Sequence, residues 1–178
     1  MTGLWDLFGQ ARNEQVLAAT WTPQLGVEVE SSDLPHAWLS ALERIGRDLC
    51  VFQYGNTIER IDWVAEYESS SGGVLLYSRV TATGRVPTGW GVNGAVARVI
   101  DDEETVTAVN AELVANEVAN AGVAWPYRAG DGFMSPRLVD GVAIWSDIGQ
   151  HQVIGSLSET GNQRDPSTIA PPPAANGP

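Results

Sequence analysis

Apolar positions along the chain recur at two spacings, and the change from one to the other marks out its elements. Leu34, Trp38, Leu42, Ile45 and Leu49 follow one another at steps of four, four, three and four. That spacing lays one apolar stripe along a helix, which Ser32 or Asp33 can cap, with Pro35 in its first turn. A second helix is expected over "DDEETVTAVNAELVANEVANAG", where four acids open the run and Gly122 follows its end. Val106, Val109 and Leu113 form its apolar line, with Val114 and Val118 alongside. A third is expected over 3–19, with Leu4, Leu7, Phe8 and Ala11 near one face and Thr2 as its cap.

Elsewhere the period shortens to two. Residues 57–68 alternate, with Ile61, Trp63, Ala65 and Tyr67 on one side and Asp62, Glu66 and Glu68 mostly opposite. "SSSGG" then makes a turn and "VLLYSRVTA" returns, which reads as a β-hairpin. Further strands are expected at "LCVFQY", "AVARVI", "RLVDGVAIW" and "HQVIGSL", with a short one at Leu25–Val29 inside a loop. The expected fold is α+β, a mainly antiparallel sheet with two or three packed helices. It divides into an N-terminal helix and linker (1–30), an α+β domain (31–157) and a Pro-rich tail (158–178). The tail has almost nothing to bury and is expected to be disordered.

Composition narrows the chemistry. The chain has 178 residues, 22 acidic against 10 basic, and a net charge of -12. Such a surface is repelled by nucleic-acid phosphates and anionic membranes, so neither is an expected partner. No apolar run reaches the roughly 20 residues of a membrane span, and the first residues lack a secretory pattern. Cys50 is the single cysteine, which rules out an internal disulfide and points to a cytoplasmic setting, or a virion if the chain is phage-encoded. All ten basic residues are arginine. Without lysine there is no Schiff-base amine and no Walker A lysine.

Charge is also unevenly spread. Residues 69–100 hold Arg79, Arg85 and Arg98 with no acid, whereas 1–68 and 101–117 are strongly acidic. The positive stretch contains Gly89, Gly91 and Gly94, which spell G-x-G-x-x-G, with Val96 after them. A dinucleotide fingerprint needs a buried strand before the first glycine and a helix after the third. Here Gly84 and Pro87 interrupt the approach, and the β-branched Val96, Val99 and Ile100 follow, so a turn-rich loop is the better reading. A kinase loop also needs a strand lysine, an H-R-D and a D-F-G, all absent. The loop can still be a contact surface. Its glycines allow backbone N–H groups to approach an anion, Arg79, Arg85 and Arg98 add charge, and Trp90 can serve as an exposed aromatic anchor. Otherwise Trp90 folds into the core and the arginines pair with nearby carboxylates.

No catalytic residue, metal site or cofactor is nominated. Asp101 to Glu104 lack the spacing and glycine of a calcium loop and fit a helix start. His36 and His151 have no partner at ligand spacing, and Cys50 sits in the apolar "LCVFQY", where an inert, buried thiol is expected. No G-x-S-x-G elbow occurs.

"WLSALERIGRDLCVF", "IDWVAEYESSSGGVLLYSRV" and "VNAELVANEVANAGVAWP" together resemble the small acidic secretion-chaperone fold and its YbjN-type relatives, over roughly residues 34–157. The resemblance implies a dimerising or peptide-holding module without catalysis, and it transfers no functional residue. The expected function is therefore non-catalytic protein binding, with another protein or a second copy of the chain as partner. The alternatives are a structural component of a phage or other large assembly, and a small-anion binder or enzyme using loop 84–94.

Overall fold

A computed structural model describes residues 14–91, 96–128, 132–147 and 150–158. The chain is α+β, and among the described residues every strand pairing is antiparallel. In order come β1 (Glu14–Thr22), β2 (Gly26–Ser32), α1 (His36–Asp48), β3 (Ile58–Glu68), β4 (Gly73–Ala82) and β5 (Ala97–Arg98). They are followed by α2 (Glu103–Asn120), β6 (Tyr127–Arg128), β7 (Gly132–Phe133), β8 (Ser135–Val139), β9 (Val142–Ser146) and β10 (His151–Val153). The main sheet runs β2-β1-β3-β4-β5, a second runs β10-β9-β8, and β6 pairs with β7 in a third, two-stranded one. Among the described residues no helix is long and apolar enough to cross a membrane.

Alternation decides which face of the main sheet is covered. Leu17, Ala19 and Trp21 of β1, Ile61, Trp63 and Ala65 of β3, and Val74, Leu76 and Val80 of β4 are all buried together against the helices. The helical stripe reaches the same core: Trp38, Leu42, Ile45 and Leu49 are fully buried and Leu34 nearly so. Gly46 lets α1 approach, because a Cβ there would lie 2.7 Å from Val27 Cγ2 and 2.9 Å from Trp21 Cδ1. The Trp21 indole N–H then donates to the Gly46 carbonyl at 2.8 Å. On α2, Asp102 caps the N-terminus through the Thr105 N–H, and Gly122 follows the last turn at a φ of +78°. That helix lies against β4 and β5 on one side and β8 and β9 on the other, joining the two sheets.

A polar latch closes the far end. The buried Asp48 carboxylate accepts hydrogen bonds from Trp145 Nε1 (2.7 Å), Gly155 N (2.6 Å) and Leu157 N (2.9 Å). One turn earlier, Arg44 donates to the Ile154 carbonyl and pairs with Glu103 and Glu104. Glu104 in turn accepts from Ala143 N at 2.6 Å. Two residues of α1 thus hold the C-terminal segment, β9 and the start of α2. Burial pushes the Asp48 pKa up against the three donors that favour its charged form, while the Arg44 guanidinium holds Glu104 below the usual range.

Several local expectations are corrected. Residues 14–19, expected in a helix over 3–19, belong to β1, where buried Leu17, Ala19 and Trp21 follow the period of a strand. The earlier part of that helix lies outside the described residues. The strand at Leu25–Val29 is longer and later, and it pairs with β1 rather than sitting in a loop. "LCVFQY" is not a strand: α1 ends in it, and Phe52 takes a φ of +57°, which breaks an extended run. The α1 N-cap position is Pro35, with no side-chain cap bond; Ser32 Oγ accepts from Leu34 N instead. "RLVDGVAIW" is itself a hairpin, because Asp140 and Gly141 both have positive φ and turn β8 into β9. "AVARVI" contributes only the two residues of β5. The tail from 159 onward lies outside the described residues.

Candidate binding surface

Where α1 ends, three short segments form a small patch of their own. Tyr54 and Ala124 exchange backbone hydrogen bonds at 2.9 Å, and Tyr127 N donates to the Phe52 carbonyl at 2.8 Å. On the other side Tyr127 pairs with Phe133 across β6 and β7, and Met134 N donates to the Pro126 carbonyl. Direct cross-strand partners present their side chains to the same face of a ladder. Here that geometry sets Tyr127 against Phe133, and Tyr54 packs on Tyr127 from the neighbouring segment. Tyr54 and Tyr127 have centroids 5.0 Å apart, and Tyr127 and Phe133 5.3 Å apart in a T-shaped contact.

These rings are not core residues. Tyr54 is 62% exposed and Phe133 60%, with Tyr127 half-buried between them. Ordinary packing hides large aromatics, and here Trp21, Trp38, Trp63, Trp125 and Trp145 all lie inside. Beneath the ladder, the Arg128 guanidinium stands 5.0 Å over the Phe52 ring and donates to Gln150 Oε1 and Gln152 Oε1. Phe52 holds its left-handed backbone in this support, a conformation that costs a non-glycine residue about 1–3 kcal/mol. Beside Phe133, a cleft of about 430 Å³ runs between α2 and β8, lined by Glu112, Asn116, Met134 and Arg137 among others.

The four residues expected at the contact loop are spread apart. Residues 88–91 run along the free side of β4, with Thr88 N donating to the Val80 carbonyl and Gly91 exchanging two bonds with Ser78. This carries Trp90, 49% exposed, to the backbone position next to the exposed Arg79. Arg98 pairs with Gly73, six residues down β4 from Arg79 and therefore about 20 Å away at the usual strand rise. Arg85 reaches the other way: its guanidinium lies on Gly122, where a Cβ would stand 2.7 Å from Cζ. Gly122 neighbours Gly55, next to Tyr54, so Arg85 borders the aromatic ladder.

Gly91 has a particular reason to be glycine. A Cβ there would fall 2.0–2.1 Å from the Glu117 carboxylate, which is buried under the loop. The anion that meets this glycine is a side chain of the protein itself. Gly94 lies outside the described residues.

The remaining polar groups offer little chemistry. Cys50 is exposed rather than buried, because it lies just past the last turn of α1. Partial burial and the neighbouring Asp48 nonetheless raise its pKa, which keeps the thiol protonated and a poor nucleophile. His36 shares a hydrogen bond with Ser40. Among the described residues no group of three or more His, Cys, Asp or Glu could hold a metal ion.

Tyr127 and Phe133 lie in "YRAGDGF", where two aromatics flanking a glycine-containing turn are a hairpin signal. Tyr54 sat in the expected strand "LCVFQY" with no sign of its exposure. No family model, curated protein or solved structure matches the chain.

Proposed function

We propose that this chain is a non-catalytic protein-binding module whose contact surface is the ladder Tyr54–Tyr127–Phe133. The observation that carries the reading is the exposure of Tyr54 and Phe133, both packed on the half-buried Tyr127, on a patch with its own strands and its own buried support. Rigid, amphipathic aromatic side chains give a large contact area for little lost entropy, which is why they dominate binding hot spots. Arg85 at the border adds a charged, hydrogen-bonding rim of the kind that surrounds such centres. Raised Cys50 and Asp48 pKa values supply neither a nucleophile nor an exposed base.

The test compares the full chain with its Tyr54→Ser/Phe133→Ser variant, both recovered from the native host and weighed by native mass spectrometry. A partner or second copy at fixed stoichiometry, lost in the variant while the fold is retained, supports the reading. Retention of the same complex by the folded variant refutes it.

A further inference from the structure

The chain carries a segment suited to this ladder. Pro171, Pro172 and Pro173, preceded by Ala170, are its only run of consecutive prolines, and they lie outside the described residues. Resting on the ladder's role as a protein-contact surface, we propose that residues 170–173 of the same molecule are its occupant.

Three observations converge on that pairing. Proline-rich segments favour the polyproline II form, which arrives with little entropy to lose and binds aromatic-lined grooves. With centroids 5.0 and 5.3 Å apart, the three rings span at most about 10 Å, close to the ~9.3 Å of one polyproline turn. Proline carbonyls have no internal partner in that form, and neither tyrosine hydroxyl of the ladder is engaged by a described residue.

Geometry also allows the contact within one molecule. Leu157 N is held by Asp48 Oδ1, and the Asp48 carbonyl accepts from the indole of Trp125, two residues before Tyr127. The described chain therefore stops close to the ladder. From Ser158 to Pro171 is 13 residues, a reach of about 43 Å if extended and about 20 Å as a coil. A tether of that length gives an effective concentration on the order of millimolar, enough to populate a weak contact.

The test uses the full chain labelled with 3-fluorotyrosine, whose four ring signals report Tyr54, Tyr67, Tyr77 and Tyr127, assigned by single Tyr→Phe variants. The P171S/P172S/P173S variant is expected to move the Tyr54 and Tyr127 signals by more than a linewidth and leave Tyr67 and Tyr77 in place. The difference should not depend on protein concentration, and a free peptide of residues 165–178 should reverse it. Unchanged Tyr54 and Tyr127 signals overturn the proposal, and so does a difference that vanishes on dilution, which would assign the contact to a second copy. If the tail substitutions do nothing but free peptide still moves those signals, the own-tail occupant is wrong while the ladder remains a protein-contact surface. If peptide is silent too, proline-rich ligands are excluded, and the Tyr54→Ser/Phe133→Ser comparison then decides the ladder's role alone.

Discussion

Replacing Asp48 by alanine removes the one acceptor shared by Trp145 Nε1, Gly155 N and Leu157 N, at 2.7, 2.6 and 2.9 Å. The site is closed to solvent, so water cannot take over without opening the structure. Each stranded donor costs about 1–3 kcal/mol, which sets a gross loss of roughly 3–9 kcal/mol. Burying the carboxylate is itself unfavourable, as its raised pKa shows, and removing it offsets part of that loss. The expected net destabilisation is about 3–5 kcal/mol, in the range for breaking buried charged contacts. It should also be local first. Arg44 would still hold the Ile154 carbonyl, but Gly155 and Leu157 would have no anchor of their own. Urea denaturation gives the total, and hydrogen exchange at Gly155 and Leu157 against Ala65 in β3 gives the distribution. A loss under 1 kcal/mol, or Gly155 and Leu157 amides as protected as in the parent, would refute the latch.

Further consequences are open to measurement. Because burial lifts the Asp48 pKa above its unfolded value, its contribution is full below about pH 4 and is lost as pH rises through the raised value; stability against pH should lose that decline in Asp48→Asn. Glu104 has the opposite sign, with its stabilisation present above its unfolded pKa and lost as pH falls through the lowered one, so Glu104→Gln should flatten the acid limb of the same curve. Neither polar atom of buried Asn110 has a partner among the described residues, and Asn110→Leu should raise stability by about 1 kcal/mol in thermal or urea unfolding, a loss being the contrary result. Gly91→Ala should cost about 1–3 kcal/mol, since its Cβ would meet the Glu117 carboxylate; a neutral effect in the same assay would mean the loop yields freely.

The parts legible in the sequence are those where one period runs unbroken. The α1 stripe, the β3–β4 hairpin and the acid-capped α2 all stand where their patterns put them, since each buries one regular face. Legibility failed where a tertiary partner or a single backbone angle decides. The alanines and threonines of β1 fit a helix as well as a strand until β2 and β3 flank them. Phe52 ends an apolar run by turning left-handed, and Asp140–Gly141 splits another that looks continuous by composition. The aromatic ladder depends on pairings among residues 52–54, 124–128 and 132–134. No local spacing announces contacts between segments 70 residues apart. Of the three arginines of the positive stretch, Arg85 is the one that reaches that surface.

The most direct measurement places a photo-crosslinking benzoylphenylalanine at Phe133 in the full chain, with the same residue at Leu25 as the control. Both positions are well exposed, at 60% and 67%, and Leu25 sits in the turn between β1 and β2, outside the ladder strands in sequence. Irradiation in the native host followed by peptide mapping should give adducts from Phe133 at one discrete segment, either residues 170–173 or a proline-rich stretch of a partner, and none of comparable yield from Leu25. Scattered adducts from Phe133, or a defined adduct from Leu25 alone, would contradict the ladder as the binding surface.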